Sequence, residues 1–280
     1  MMPTRRSVLL GMAGTALAPA ASGVPGPLGL ELYSFRREVA KSLPKALEFT
    51  RSLSFTELEL PQLYGLTAQQ FRAELDKAGL QCTALVANDE TLARGVPATV
   101  ADARLLGAHY VISPWIPHGK TFELSDCQRA IGNFNRWGEQ FRAAGIQFCY
   151  HPHGYEFGPG PDGTLFDTMV RRTKPETVHY EMDVFWMAWP GQDPLHYLRS
   201  YPGRFPLMHL KDLRRGVTGN QAGSAPDEYS VAAGSGSIDF PAILRAAPKA
   251  GVKRYYIEDE SPLAAEQVPA SRRYLKSLRF

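Results

Sequence analysis

Gln147-Phe148-Cys149-Tyr150-His151-Pro152-His153-Gly154-Tyr155-Glu156-Phe157 is the stretch on which the reading of this chain turns. Its first four residues are apolar enough for a buried β-strand, and two imidazoles and a carboxylate emerge together where that strand stops. Three later segments repeat the arrangement: Tyr180-Glu181-Met182-Asp183, Phe205 to Asp212 through His209, and Tyr255-Tyr256-Ile257-Glu258-Asp259-Glu260. Each runs from apolar residues straight into His, Asp or Glu. Four strand ends that each deliver a metal-ligating side chain point to one site.

Outward from these segments the chain alternates strand-like and helix-like stretches. Strands are expected over Leu28–Tyr33, Phe55–Leu60, Gln81–Val86 and Tyr110–Ser113, then from Gln147, Val178, Arg204 and Arg254. Helices are expected over Leu43–Leu53, from Thr67 to Gly79, near Val96–Leu106, from Leu124 or Ser125 to Ala144, and over Phe166–Arg172, Pro194–Ser200 and Phe240–Ala250. Thr67, Asp193 and Asp239 read as N-caps, the last two because each precedes or nearly precedes a proline at a helix start. Eight repeats of this kind in about 250 residues predict a single (β/α)8 TIM barrel over residues 28–280. No Gly-rich dinucleotide fingerprint follows the first strand, which weighs against a doubly wound sheet. In a barrel the C-terminal strand ends meet at one mouth, so ligands distant in sequence become neighbours.

Composition bounds the functions open to such a fold. The 280 residues are 44% hydrophobic and 21% charged, ordinary for a protein with a large core. A formal charge of +3 gives no footprint for nucleic acid. Cys82, Cys127 and Cys149 are too scattered for a disulfide framework, and Cys82 and Cys149 read as small buried hydrophobes. Arg5-Arg6 before the apolar run from Val8 to about Leu17, with Ala18-Pro19-Ala20 as a cleavage site, is similar to a twin-arginine export signal over residues 1–22. The run is too short for a membrane span. Its removal would leave a charge of about +1 and place the mature protein in the periplasm or outside the cell.

From Gly29 to about Ser261 the chain resembles the sugar-phosphate isomerase and epimerase superfamily with the xylose-isomerase-like barrel. The resemblance rests on Leu30-Glu31-Leu32-Tyr33-Ser34, the His151-Pro152-His153-Gly154-Tyr155-Glu156-Phe157 stretch, Met182-Asp183, His209-Leu210-Lys211-Asp212, Gly234-Ser235-Gly236-Ser237-Ile238-Asp239-Phe240 and Ile257-Glu258. It implies one divalent cation held by His151, Asp183, His209 and Glu258, with a small carbohydrate as substrate and homo-oligomers common. Two imidazoles and two carboxylates suit manganese, the favoured ion, and also cobalt, iron or zinc.

The chemistry implied is proton abstraction next to a sugar carbonyl, the resulting enediolate being stabilised by a Lewis acid. His153 is the first choice of base, Glu258 a second, and Lys211 a stabiliser of a substrate oxyanion or a partner of Asp212. Glu59, Trp115, Glu156 and Trp186 are candidate substrate contacts. Epimerases of this barrel present glutamates at both the fifth and the eighth strand, whereas this chain has His151 at the fifth. A metal-bound imidazole is a poor base, so elimination, as in inosose dehydratases, is a close rival of isomerisation. A non-catalytic sugar-binding barrel is the third reading. His109, His118, His179 and His196 are expected at the surface or in caps, and the long segment Arg214–Ala233 as a lid or contact region.

Overall fold

The apolar runs that end in His, Asp or Glu are strands, and they close on one another. In this computed structural model, which describes residues 23–279, the barrel strands are β1 (Leu28–Glu31), β2 (Glu57–Leu60), β3 (Gln81–Val86), β4 (Tyr110–Ser113), β5 (Gln147–Tyr150), β6 (Val178–Asp183), β7 (Leu207–Leu210) and β8 (Arg254–Ile257). Each pairs in parallel with the next, and β8 returns to β1. The export segment expected at residues 1–22 lies outside the described residues. No helix among the described residues is long and apolar enough to cross a membrane.

The surrounding helices are α1 (Arg36–Lys41), α2 (Leu43–Ser52), α3 (Ala68–Ala78), α4 (Asp89–Arg94), α5 (Val96–Leu106), α6 (Leu124–Ala143), α7 (Leu165–Arg172), α8 (Val184–Ala188), α9 (Pro194–Ser200), α10 (Phe240–Ala250) and α11 (Ala264–Ser277). Their starts follow the capping chemistry. Thr67 and Gln70 form a reciprocal capping box, Asp193 accepts from Leu195 N, and Asp239 accepts from Ala242 N. Four helices, α1, α4, α8 and α11, were not expected from the sequence. Three strands are shorter than expected. β1 turns into a tight helical turn over Leu32–Phe35 after its last pair, Glu31 with Glu59, and β2 begins only at Glu57. β7 begins after Pro206, which has no N–H to extend the ladder.

Side chains alternate across each strand, and this alternation sets the chemistry of the interior. Outward residues such as Leu58, Phe148, Tyr180 and Met208 join one large apolar core beneath the helices. Inward residues Ala84, Tyr110, Ile112, Cys149, Leu207 and Tyr256 form a small separate core inside the barrel. Below them Arg254 pairs with Glu57. Above them the inward positions become Glu31, Glu59, His151, Glu181, Asp183 and His209, all buried. A register shift of β3 against β2 falls between Leu58 and Glu59, beside Thr83, whose hydroxyl reaches Leu58 O at 3.2 Å and Tyr256 Oη at 2.8 Å.

Candidate metal centre

β6 and β7 bring Asp183 and His209 into register as direct neighbours. Asp183 Oδ1 accepts from Phe185 N at 2.7 Å and Trp186 N at 3.0 Å, capping α8. That leaves Oδ2 buried, with no hydrogen-bond partner among the described residues. It lies 3.7 Å from His209 Nδ1 and 3.9 Å from His151 Nε2. Glu258, just past β8, places Oε2 3.0 Å from His209 Nδ1 and 3.5 Å from Lys211 Nζ. Among the described residues two sets of ligand atoms lie within 4.8 Å of one another: His151, Asp183, His209, and Glu59, Glu181, His209. An unpartnered carboxylate oxygen between two imidazoles is a donor set that fits a divalent cation.

Beyond β5 the chain is held by its own turn. His151 N donates to Ser113 O at 2.9 Å, and Glu156 accepts from His153 N at 3.1 Å, from Gly154 N at 2.8 Å and from the Tyr150 hydroxyl. His153 Nδ1 sits 3.3 Å from His151 O. Because a carbonyl only accepts, Nδ1 carries the proton and Nε2 keeps the lone pair. The ring lines a cavity of about 240 Å³ together with Glu31, Glu59, His151, His209, Glu258 and Glu260.

Burial lowers the basicity of all three imidazoles, and neighbouring carboxylates set His209 apart. It holds His153 down at about 4, partly opposed by Glu260, so that His153 is a neutral base at neutral pH. Burial, reinforced by His153, His209 and Lys211, holds His151 well below the ordinary range. For His209 burial acts downward too, but Glu181 and Glu59 overcome it and raise its affinity for protons well above the ordinary value. Burial and neighbouring carboxylates raise Glu31 and Glu181 well above theirs. Glu258 is pushed up by burial but brought below the usual carboxylate range by Lys211 and His209.

Three of the four residues expected as ligands, His151, Asp183 and His209, therefore converge, Glu258 stands outside that set beside His209 Nδ1, and Glu59 approaches from beneath, 3.2 Å from His209 Nε2. Other expectations need correction. Lys211 is fully buried, 2.9 Å from Glu260 and 4.9 and 5.0 Å above the rings of Phe185 and Trp186, and it does not line the cavity. Nor does it pair with Asp212, whose carboxylate accepts from the N–H groups of Leu213, Gly234, Gly236 and Ile238. Glu156 is consumed by the turn rather than offered to a substrate. Trp186 stands behind His153, ring centres 5.2 Å apart, and outside the cavity lining. Trp115 lies at the rim, 5.7 Å from His153 and as exposed as Tyr33, which lines the cavity.

Of the histidines expected at the surface or in caps, His109 and His196 are exposed and His118 pairs with Ile116 O at 2.7 Å, whereas His179 is half-buried because it sits within β6, in register with Cys149 of β5; none of the four joins either ligand set. Glu181 and Glu260 were not singled out from the sequence. Glu181 lies two residues before Asp183 on the same strand, and that period of two was the available signal.

A profile of the xylose isomerase-like TIM barrel family matches residues 44–278. The inosose dehydratase of Geobacillus thermodenitrificans is 29% identical over 149 residues, which cover 50% of this chain and 47% of that protein. The chain thus spans less than half the length of this curated relative. A sugar phosphate isomerase/epimerase from Parabacteroides distasonis superposes with a TM-score of 0.74 at 24% identity, over 94% of this chain and 99% of that one. The IOLI protein with a bound zinc atom superposes with a TM-score of 0.65 at 14% identity, over 89% and 96%. Sequence profile and barrel topology agree, and the chain belongs to the xylose isomerase-like TIM barrel family.

Proposed function

We propose that this chain is a divalent-metal-dependent lyase acting on a polyhydroxylated ketone, an inosose or a keto-sugar. It removes the proton next to the carbonyl and expels the oxygen substituent one carbon further on. The observation that carries this reading is that the His153 imidazole, neutral and outside the ligand set, lines the same cavity as His151 and His209, whose ring nitrogens converge with Asp183. His151 through Nε2, Asp183 through Oδ2, His209 through Nδ1 and Glu258 through Oε2 would hold the cation. Bound there, it supplies Lewis-acid stabilisation of negative charge on the substrate's oxygens.

His153 does the proton work. Its Nε2 lone pair takes the proton, the C–H electrons become a C=C bond, and the C–O bond at the next carbon breaks. The proton held on His153 then leaves with the departing oxygen as water or an alcohol, which returns the base to its neutral form. Lys211 acts on Glu258 and Glu260, keeping the former ionised as a ligand. The name of the inosose dehydratase relative supports the same outcome. Isomerisation or epimerisation is the second reading, favoured by Glu258, a carboxylate lining the same cavity that would return the proton to the carbon skeleton. Against it, Glu258 is committed to His209 and Lys211.

The test is incubation with manganese and an inosose or a 3-keto-glucoside in D2O, followed by NMR. Loss of water or aglycone with formation of an enone is the expected result. Deuterium uptake with every oxygen retained would assign the isomerase, and no exchange with any ketone would leave a sugar-binding barrel. His153→Asn is expected to slow exchange by roughly 10²- to 10⁴-fold while metal content stays at the wild-type level.

A further inference from the structure

Glu181 has no part in the chemistry above, and its place in the barrel is unusual. It faces inward from β6, two residues before Asp183, so the two share a face with Glu181 one layer deeper, roughly 6–7 Å along the strand. β6 stands between β5 and β7, the strands that deliver His151 and His209. Glu181 Oε2 lies within hydrogen-bond distance of His151 Nδ1, at 3.1 Å. Its other oxygen, Oε1, lies 3.3 Å from His209 Nε2, which is also 3.2 Å from Glu59 Oε1, close to both carboxylates without a well-aligned hydrogen bond to either among the described residues. One fully buried carboxylate thus reaches the far nitrogen of both imidazoles.

We propose that Glu181 is a positioning residue that fixes both histidine ligands at once, choosing which nitrogen of each faces the metal. This rests on the metal reading of the site. With His151 Nδ1 and His209 Nε2 turned to Glu181 and Glu59, the nitrogens left for Asp183 and Glu258 are His151 Nε2 and His209 Nδ1. Those are the two that converge on Asp183 Oδ2. A carboxylate behind a histidine ligand sets its tautomer and orientation and raises its basicity; here a single side chain serves two ligands on different strands. Stability gives no rival account, because the carboxyl group is buried against another acid, Glu59, and both burial and that neighbour disfavour its ionised form.

The experiment uses cobalt as the probe on chelator-stripped full chain. It measures affinity by competition with a chromogenic chelator, the visible Co(II) absorption, and the thermal midpoint of the metal-free protein. For Glu181→Gln, whose amide cannot accept from both rings, cobalt affinity is expected to fall by roughly 10- to 100-fold with a changed Co(II) spectrum. Its metal-free midpoint is expected to match or exceed that of wild type, since a second acid no longer stands buried beside Glu59. Glu181→Asp keeps the carboxyl group but, one methylene shorter, cannot span both imidazoles, and a loss of affinity is expected there too. Wild-type affinity and spectrum in these variants would overturn the positioning role while leaving the metal site standing. Failure of wild type to bind cobalt would overturn both.

Discussion

Glu156 is fully buried, and its carboxyl group is held by burial at about 7, above its ordinary value of 4.5, although Tyr150 and the N–H groups of His153 and Gly154 pull the other way. Below pH 4.5 the folded and unfolded chains both hold the proton. Between 4.5 and 7 only the folded chain holds it, so the contribution is lost as pH rises through that window and is gone above it. The loss amounts to roughly 3 kcal/mol over the window. Glu156→Gln removes the titration, so the stability of wild type relative to this variant is expected to fall by about that much from pH 4.5 to 7.5. Urea unfolding of both proteins at several pH values measures it, and a pH-independent difference would show that the group is ionised throughout. Glu156 was legible in the sequence as a functional glutamate but not as a turn holder. That role depends on the fold of the turn at Gly154, which brings two backbone N–H groups to one carboxylate. Glu181 was hidden for the opposite reason: its strand was recognised, but its partners lie on two other strands.

At the scale of elements, the segment 214–233 packs against the rim residue Trp115 rather than running as a plain connection. It begins and ends in a two-stranded antiparallel ribbon, Asp212–Leu213 with Ser230–Val231. Between those ends Arg36 ties Asp227 at 2.9 Å and Gln221 donates to Phe157 O at 3.2 Å. Two glycines let it approach the rim. A Cβ at Gly219 would stand 1.9 Å from Trp189 O, and one at Gly223 would stand 2.6 Å from the Tyr155 ring and 2.9 Å from Trp115. Gly223→Ala therefore meets a clash besides the roughly 1–2 kcal/mol cost of a left-handed conformation. Gly216, also at positive φ but with no atom within 4 Å of its would-be Cβ, bears only the second cost. Gly223→Ala is expected to raise KM for the ketone about tenfold with kcat less affected, and to speed protease cleavage within 214–233, while Gly216→Ala does neither. Equal behaviour of the two variants would mean that this segment does not shape the rim. Strands and most helices were legible because each carries its own period and caps. The 214–233 ribbon and α8 were not, since the first is fixed by Asp212 gathering distant N–H groups and the second by the Asp183 cap.

For the whole molecule, the division of labour between fold and site predicts how metal and stability are linked. The apolar cores inside and outside the barrel consist of residues that do not include the ligands, so removing the cation is expected to leave the barrel folded. In that state the mouth gathers Glu31, Glu59, Glu181, Asp183 and Glu258 around His209, with Lys211 as the buried lysine nearby. A divalent cation binding this cluster stabilises only the folded chain, by about 2.7 kcal/mol at a free concentration 100-fold above Kd. For a chain of this size that corresponds to a rise of roughly 5–10 °C in the thermal midpoint. Asp183→Asn separates the two roles of that residue. Its carbonyl oxygen still caps α8 as Oδ1 does now, while the amide replaces the free Oδ2 with a donor that cannot bind metal. The variant is expected to keep the metal-free midpoint within about 2 °C of wild type and to lose the rise on adding manganese or cobalt. Scanning calorimetry with and without metal decides between the alternatives. If stripping metal from wild type abolishes the folded transition, the cation belongs to the fold as well as to the chemistry. If Asp183→Asn responds to metal as wild type does, Asp183 is a helix cap alone and the ligand set must be redrawn around Glu59, Glu181 and His209.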